Sequence, residues 1–476
     1  MLKTTLAVVM GTRDFFPAEP VRASRNELLA LLESMDIEAV ILDEGTTPLG
    51  AVETWEQAKR CAALFRANRE QIDGILVVLP VFGPERAIAD TVKLSELQVP
   101  ILVQAYPDDL TKLDVASRGD AFCGKISVCN NLYQYGFPFS LTEMHTVHPA
   151  EASFQADLNR FVRVCHVVRG LRKARIGAVG ARPAIFNTVR YSEKLLQASG
   201  ISVTTVDLSE LFAAANKLVD SDPHVLQRVA AIQGYIPTPE ASPPALARMA
   251  RLGIALDDWI AANELDAVAF QCWTSLQENY GVNACTLLSM LSEQLIPAAC
   301  EVDVTGVAAM YALQLASGQP SALVDWNNNY GAEPDKCILF HCGNWARSFV
   351  PGAHMANAEI LATVLGQEAT CGTVSGRALA GPMTYARVST DDRRGRIKTY
   401  VGEGTFTSDP LDTFGCRAVA EIPGLQHLMR YVCRNGFEHH AAVSASQTAD
   451  ILTEAFENYL GWEVYYHKGR SYDGQA

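Results

Sequence analysis

Two stretches of the sequence put acids where apolar runs end. In Ile296-Pro-Ala-Ala-Cys-Glu-Val-Asp-Val-Thr-Gly306, Glu301 and Asp303 interrupt small apolar residues, and in Ser321-Ala-Leu-Val-Asp325 an aspartate closes the run. A carboxylate in such surroundings is costly unless a cation or hydrogen bonds compensate it. Imidazoles stand in similar places: His341 follows Cys337-Ile-Leu-Phe340, and His439-His440 precede Ala-Ala-Val443. Carboxylates with an imidazole suit a hard or borderline divalent ion such as Mn²⁺ rather than a thiolate-loving one. Residue type alone leaves a second reading open. Glu301 and Asp325 could pair with arginines or cap helices, His341 could be a hydrogen-bonded core histidine, and the His439-His440 pair could expose one ring and bury the other.

The elements that must position these groups read as α/β. Leu6–Met10, Ala39–Leu42, Gly74–Pro80 and Val99–Gln104 are short apolar runs alternating with helical patterns such as Arg25–Met35, the order of βαβ units with strands covered on both faces. A second unit starts at Ala174–Gly180 and continues through Ile201–Val206, Leu265–Gln271 and a helix after Asn283, with a proline-rich loop at Ile236–Pro244. From about residue 320 the pattern turns to β-like runs at Cys337–Phe340, Tyr385–Ser389, Ile397–Val401 and Arg417–Ile422. We therefore expect two consecutive Rossmann-like α/β domains (1–165 and 166–319, the second carrying Glu301) and a β-rich C-terminal domain (320–476) carrying Asp325 and His440. In open α/β sheets ligands gather beyond the carboxyl ends of strands, which singles out Phe270-Gln-Cys-Trp273 beside the acids.

Composition excludes several classes. With 476 residues, 49% hydrophobic and 19% charged, the chain is an ordinary multidomain globular protein. A net charge of −14 argues against nucleic-acid binding. The one dense basic run, Asp391–Lys398, reads as a solvated hairpin tip. No stretch approaches the roughly 18 apolar residues of a membrane span, and the amino terminus lacks a secretory pattern. Neither Gly83 nor Gly180 lies in a phosphate-binding glycine fingerprint. The 12 cysteines are scattered, several in apolar runs, which fits a reducing, cytoplasmic setting; their spacings make neither a disulfide framework nor a C-x-x-C zinc pattern.

The stretches Phe270-Gln-Cys-Trp-Thr-Ser-Leu-Gln277, Ala299-Cys-Glu-Val-Asp-Val-Thr-Gly306 and Val324-Asp-Trp-Asn-Asn-Asn329, with the late His439-His440, resemble the L-fucose isomerase and L-arabinose isomerase family. The likeness is strongest over residues 265–350. It implies a metal-dependent aldose–ketose isomerase acting through an enediol, with Glu301, Asp325 and His440 holding Mn²⁺ and the two carboxylates serving as acid and base. His341 falls where one branch of that family has a fourth ligand, so it is either a ligand or a substrate contact. The likeness makes Gln271 a substrate contact, with Trp273, Arg347 and His439 as further ones. Arg13, in Met10-Gly-Thr-Arg13, resembles an arginine lent by a neighbouring subunit, implying a homo-oligomer, commonly a hexamer. Two other readings stand beside this one: the same chemistry on an acidic or sulfonated sugar clamped by arginines, and a non-catalytic sugar-binding protein built from two α/β domains.

Overall fold

The computed structural model describes residues 3–115 and 117–469, which form two compact units. The first, residues up to 169 with 454–461, is built on a parallel sheet. Its strands are β1 (Thr4–Met10), β2 (Ile37–Ile41), β3 (Gly74–Leu79), β4 (Ile101–Ala105) and β5 (Ser140–Leu141), in the order β2-β1-β3-β4-β5. All seven residues of β1 are buried: Leu6, Val8 and Met10 pack into one apolar cluster and Ala7 and Val9 into another. A strand covered by helices on both faces needs such an uninterrupted apolar run. Segment 454–461 is tied to this sheet by the Tyr459 hydroxyl, which bonds Ser140 and the Ile101 carbonyl, and by an ion pair between Glu454 and Arg160.

The second unit, residues 170–453 and from 462, contains two sheets. Strands β6 (Arg175–Val179), β7 (Ser202–Val206), β8 (Ala267–Phe270) and β9 (Ala298–Cys300) form a parallel sheet ordered β7-β6-β8-β9. The rest is β-rich: β10 (Ser321–Asn329), β11 (Lys336–His341), β12 (His354–Asn357), β13 (Cys371–Arg377), β14 (Gly381–Asp391), β15 (Arg396–Thr407), β16 (Cys416–Glu421), β17 (His440–Ser444) and β18 (Glu463–His467). Six of these close on themselves in the order β16-β11-β10-β17-β14-β15, because β15 pairs back onto β16; every pairing in the ring is antiparallel. Closure removes free sheet edges. One continuous apolar core joins parallel sheet and barrel, from Val268, Phe270 and Leu287 to Tyr385 and Tyr400.

The architecture is thus mixed α/β, with parallel sheets followed by a β-rich region containing a closed barrel. The run Asp391–Lys398 does form the β14–β15 hairpin tip, with residues 392–395 exposed. Lys398 has already entered β15, where its ammonium donates to the Asn435 and Gly436 carbonyls. Among the described residues no helix is long and apolar enough to cross a membrane.

Candidate active site

Glu301 sits where β9 turns into the helix Val304–Ser317. The turn is made by two successive left-handed residues, Glu301 (φ 60°) and Val302 (φ 55°). That conformation costs about 1–2 kcal/mol per non-glycine residue and persists only where the surroundings hold it. Here Asp303 holds it from below: its Oδ1 accepts the Gly306 N–H at 2.8 Å and caps the helix. The chain at Gly306 passes so close that a Cβ there would press on the Asp303 carboxylate and lie 2.8 Å from Arg387 Nη1.

Asp325 and His440 come together by strand register. They are direct cross-strand partners in the β10–β17 pair, while Asp325 faces Phe340 across β11, whose end carries His341. His440 Nε2 lies 3.1 Å from Glu301 Oε2 and 3.3 Å from Asp325 Oδ1. Its other nitrogen, Nδ1, is 2.8 Å from Asp303 Oδ2. Asp303 is in turn gripped by Arg387, with Nη1 at 2.5 Å and Nη2 at 2.9 Å; Arg387 also donates to Thr305 and to Glu438. Asp303, Arg387 and His440 are essentially without solvent contact. A carboxylate behind an imidazole holds its Nδ1 proton and ring orientation; Nε2 faces Glu301 and Asp325, as a donor while the ring is protonated and as a lone pair where a cation takes that proton's place.

Glu301 and Asp325 line a cavity of about 330 Å³ together with Phe186, Cys272, Trp273, Cys285, Phe340, His341, Cys342 and Glu359, while His440 stands behind the two carboxylates. Trp273 Nε1 donates to Glu301 Oε1 at 3.1 Å, and Phe186 meets Trp273, His439 and His440 edge-on. Glu301 Oε2 and His341 Nε2, 3.7 Å apart, are both buried and lack a hydrogen-bond partner. Burial pushes the Glu301 carboxyl upward, but His341 and His440 outweigh it and hold the group well below the usual range. Asp325 is likewise raised by burial, and His440 and His341 together outweigh it and hold the group below the usual range. Asp303 is held down by Arg387 and His440 against its burial.

The donor set fits a divalent cation. Around an octahedral ion with ligands at about 2.1 Å, neighbouring donors lie about 3 Å apart, close to the 3.1 and 3.3 Å from His440 Nε2 to Glu301 and Asp325; the donor atoms within 4.8 Å of one another form two trios that share His440, Glu301–His341–His440 and Asp325–His439–His440. The orphaned Glu301 oxygen is the position such an ion would satisfy. His341 differs: its Nδ1 accepts the Cys342 N–H at 3.0 Å, which leaves its proton on Nε2, facing the cavity as a donor.

The remaining residues singled out from sequence are placed as follows. His439 lies beside Asp325 at 3.5 Å and is half-exposed, whereas His440 is buried, so the tandem pair splits as one exposed and one buried ring. Gln271 directly follows β8, its side-chain oxygen accepting the Ala181 N–H at 2.8 Å. Arg347 is not brought to the cavity; it reaches the Tyr235 carbonyl and stacks over that ring. Arg13 belongs to the first unit, where it pairs with Glu85 at 2.6 Å and lies over Phe82. Sequence reasoning noted Asp303 as a buried acid but gave it no task, and missed Arg387 and Glu438 altogether. A lone arginine inside the apolar run Tyr385-Ala-Arg-Val388 was the available signal, since a buried guanidinium requires carboxylate partners.

Comparison with known proteins identifies the family. Residues 7–172 match the fucose/sulfoquinovose isomerase N-terminal domain, and residues 339–468 match the L-fucose isomerase C-terminal domain. The chain is 26% identical over 332 residues to a sulfoquinovose isomerase of Alkalicoccus urumqiensis, covering 68% of this chain and 70% of that one. Sulfoquinovose isomerases of Priestia aryabhattai (26% over 245 residues; 51% and 54% covered) and of a Clostridium species (28% over 219; 45% and 46%) are also similar. The chain spans about half the length of these last two. With both of its family-specific domains present in order, and a carboxylate–imidazole cluster between strand ends, the chain belongs to the fucose isomerase-like family of aldose–ketose isomerases.

Proposed function

We propose that this chain interconverts an aldose and a ketose bearing a sulfonate, a sulfoquinovose-type sugar, at the cavity of Glu301, Asp325 and His440. The observation that carries the chemistry is the convergence of two carboxylates on one oriented imidazole, beside a buried carboxylate oxygen and a buried ring N–H that lack partners. A sugar-binding protein has no need of that convergence. The sulfonated substrate rests on the likeness to proteins named sulfoquinovose isomerase.

Isomerisation moves a proton between C1 and C2 while O1 and O2 exchange oxidation states. A divalent cation held by Glu301, Asp325 and His440, which we assign as Mn²⁺, would supply Lewis acidity to those oxygens. The chain does the proton work. One of Glu301 and Asp325 takes the proton from carbon and the other moves protons at the oxygens, and the roles exchange with direction. Trp273 fixes Glu301 Oε1, so the carboxylate presents Oε2. His341 Nε2–H donates to a substrate oxygen, where charge develops. Phe186 and Trp273 cover the sugar's apolar face. Gln271 and His439 meet the distal hydroxyls.

Among the described residues the cavity wall holds no lysine or arginine. A sulfonate therefore requires a cation from beyond it, and Arg13 of a second copy meets that need. We accordingly propose a homo-oligomer, a hexamer by family likeness, with the site completed at a subunit interface. A neutral aldose is the second reading, favoured by the same uncharged wall. The 12 free thiols support a reducing, cytoplasmic location.

The test is hydrogen exchange in D₂O with metal-stripped protein, with and without Mn²⁺, against neutral and sulfonated aldoses, followed by NMR. Metal-dependent deuterium at C2 of a sulfonated aldose is the expected result. Exchange only with neutral sugars selects the second reading, and no exchange with any sugar while Mn²⁺ binds stoichiometrically overturns the isomerase assignment.

A further inference from the structure

Thiols from four separate elements gather at the cavity wall, three lining it and Cys300 close behind. Cys272 follows β8, Cys285 opens the helix Cys285–Glu293, Cys300 ends β9 and Cys342 follows β11. The sulfurs of Cys285, Cys300 and Cys342 all lie within 4.8 Å of one another. Cys272, Cys285 and Cys300 have at most 2% of their surface exposed. Nothing in the proposed isomerisation uses them.

We propose that Cys285, Cys300 and Cys342 form a second metal site, its fourth position open toward the cavity that Cys285 and Cys342 line, for a thiophilic d¹⁰ cation of the Zn²⁺ class. Three thiols facing a common point are the arrangement of a tetrahedral sulfur site, in which metal–sulfur bonds of about 2.3 Å set sulfurs about 3.8 Å apart. The helix dipole at Cys285, the first residue of its helix, favours its thiolate. Sulfur donors separate this site from the carboxylate–imidazole site: a hard ion selects oxygen and nitrogen, a soft one selects sulfur. The two are nonetheless neighbours, since His341 Nδ1 lies 3.4 Å from Cys342 Sγ. Loading balances simply, each coordinated thiol releasing its proton as its sulfur takes up the cation.

The site is tested independently of any sugar chemistry. Reduced, metal-stripped full-length protein is first saturated with Mn²⁺ and then titrated with Cd²⁺ and Co²⁺ while sulfur-to-metal charge-transfer absorption is recorded. The expected result is such a band saturating at one soft cation per chain, with proton release, and no displacement of Mn²⁺ seen by electron paramagnetic resonance. The Cys285→Ser/Cys342→Ser protein loses the band while its Mn²⁺ signal persists. Wild-type protein provides a second readout that needs no variant: Zn²⁺ slows alkylation of Cys285, Cys300 and Cys342 by about tenfold or more, while exposed Cys123 and Cys433 react as before. Absence of the band in wild-type protein, an equal band in the double variant, or uniform alkylation with and without Zn²⁺ each overturns the proposal.

Discussion

Replacing Asp303 by Asn should cost the protein its metal before it costs the fold. The carboxylate accepts from His440 Nδ1 at 2.8 Å, from Arg387 at 2.5 and 2.9 Å and from the Gly306 N–H at 2.8 Å. An amide offers one accepting oxygen and turns an NH₂ toward donors, so either His440 or Arg387 loses its acceptor. Breaking one side of a buried ion pair costs about 3–5 kcal/mol; the lower end applies because Arg387 keeps Glu438 and Thr305. Loss of the carboxylate that orients a ligating imidazole weakens metal binding by about 10–100-fold, equivalent to about 1.4–2.7 kcal/mol. The assay is Mn²⁺ binding by electron paramagnetic resonance below the unfolding midpoint, beside denaturant unfolding. Glu438→Gln is the control, since it disturbs Arg387 from the opposite side without touching the His440 ring. It should destabilise comparably yet leave the Mn²⁺ affinity within about twofold. Wild-type Mn²⁺ affinity in Asp303→Asn, or equal weakening in Glu438→Gln, refutes the idea that Asp303 positions His440.

Three further outcomes are expected. Glu301→Gln keeps the shape and loses about 10²–10⁴-fold in turnover, with a melting temperature at or near wild type; unchanged turnover with Mn²⁺ present removes Glu301 from the chemistry. Gly306→Ala drives a methyl into the Asp303–Arg387 pair, costing about 1–3 kcal/mol and weakening Mn²⁺ binding, both measurable on one purified variant. In the first unit Lys125 is buried, donates to Thr142 and the His145 carbonyl, and has its pKa lowered by burial to about 8. An unfolded lysine binds its proton up to about 10.4, so between these values the unfolded chain holds more protons and stability rises with pH. The wild-type stability minus that of Lys125→Met should climb by up to about 3 kcal/mol from pH 8 to above 10, and a flat difference in urea unfolding disproves the assignment.

What the sequence made legible follows from the range over which each signal acts. Period and composition are local, so the apolar runs that became β1, β3, β4, β6 and β8 could be read directly, as could the hairpin tip at residues 392–395. Acids ending apolar runs were also local, and Glu301 and Asp325 do meet over His440. Their meeting depends on the β10–β17 register, which no window of sequence contains. The same limit hid Arg387: its partners Asp303 and Glu438 are supplied by the helix cap after β9 and by the turn before β17, so the chain alone showed only an odd cation among apolar neighbours. It hid the return of residues 454–461 to the first unit, where Tyr459 reaches β4 and β5. Most instructively, it hid the thiols. Cysteine spacing finds metal sites whose ligands share a loop, because a short loop fixes the distance between them. Cys285, Cys300 and Cys342 share no loop; a parallel sheet stacked on a barrel fixes their distance instead, at strand and helix ends that approach the same cavity as Glu301 and His341. Buried cysteines that look like scattered core residues therefore have to be judged by where their strands end, the same criterion that found the acids.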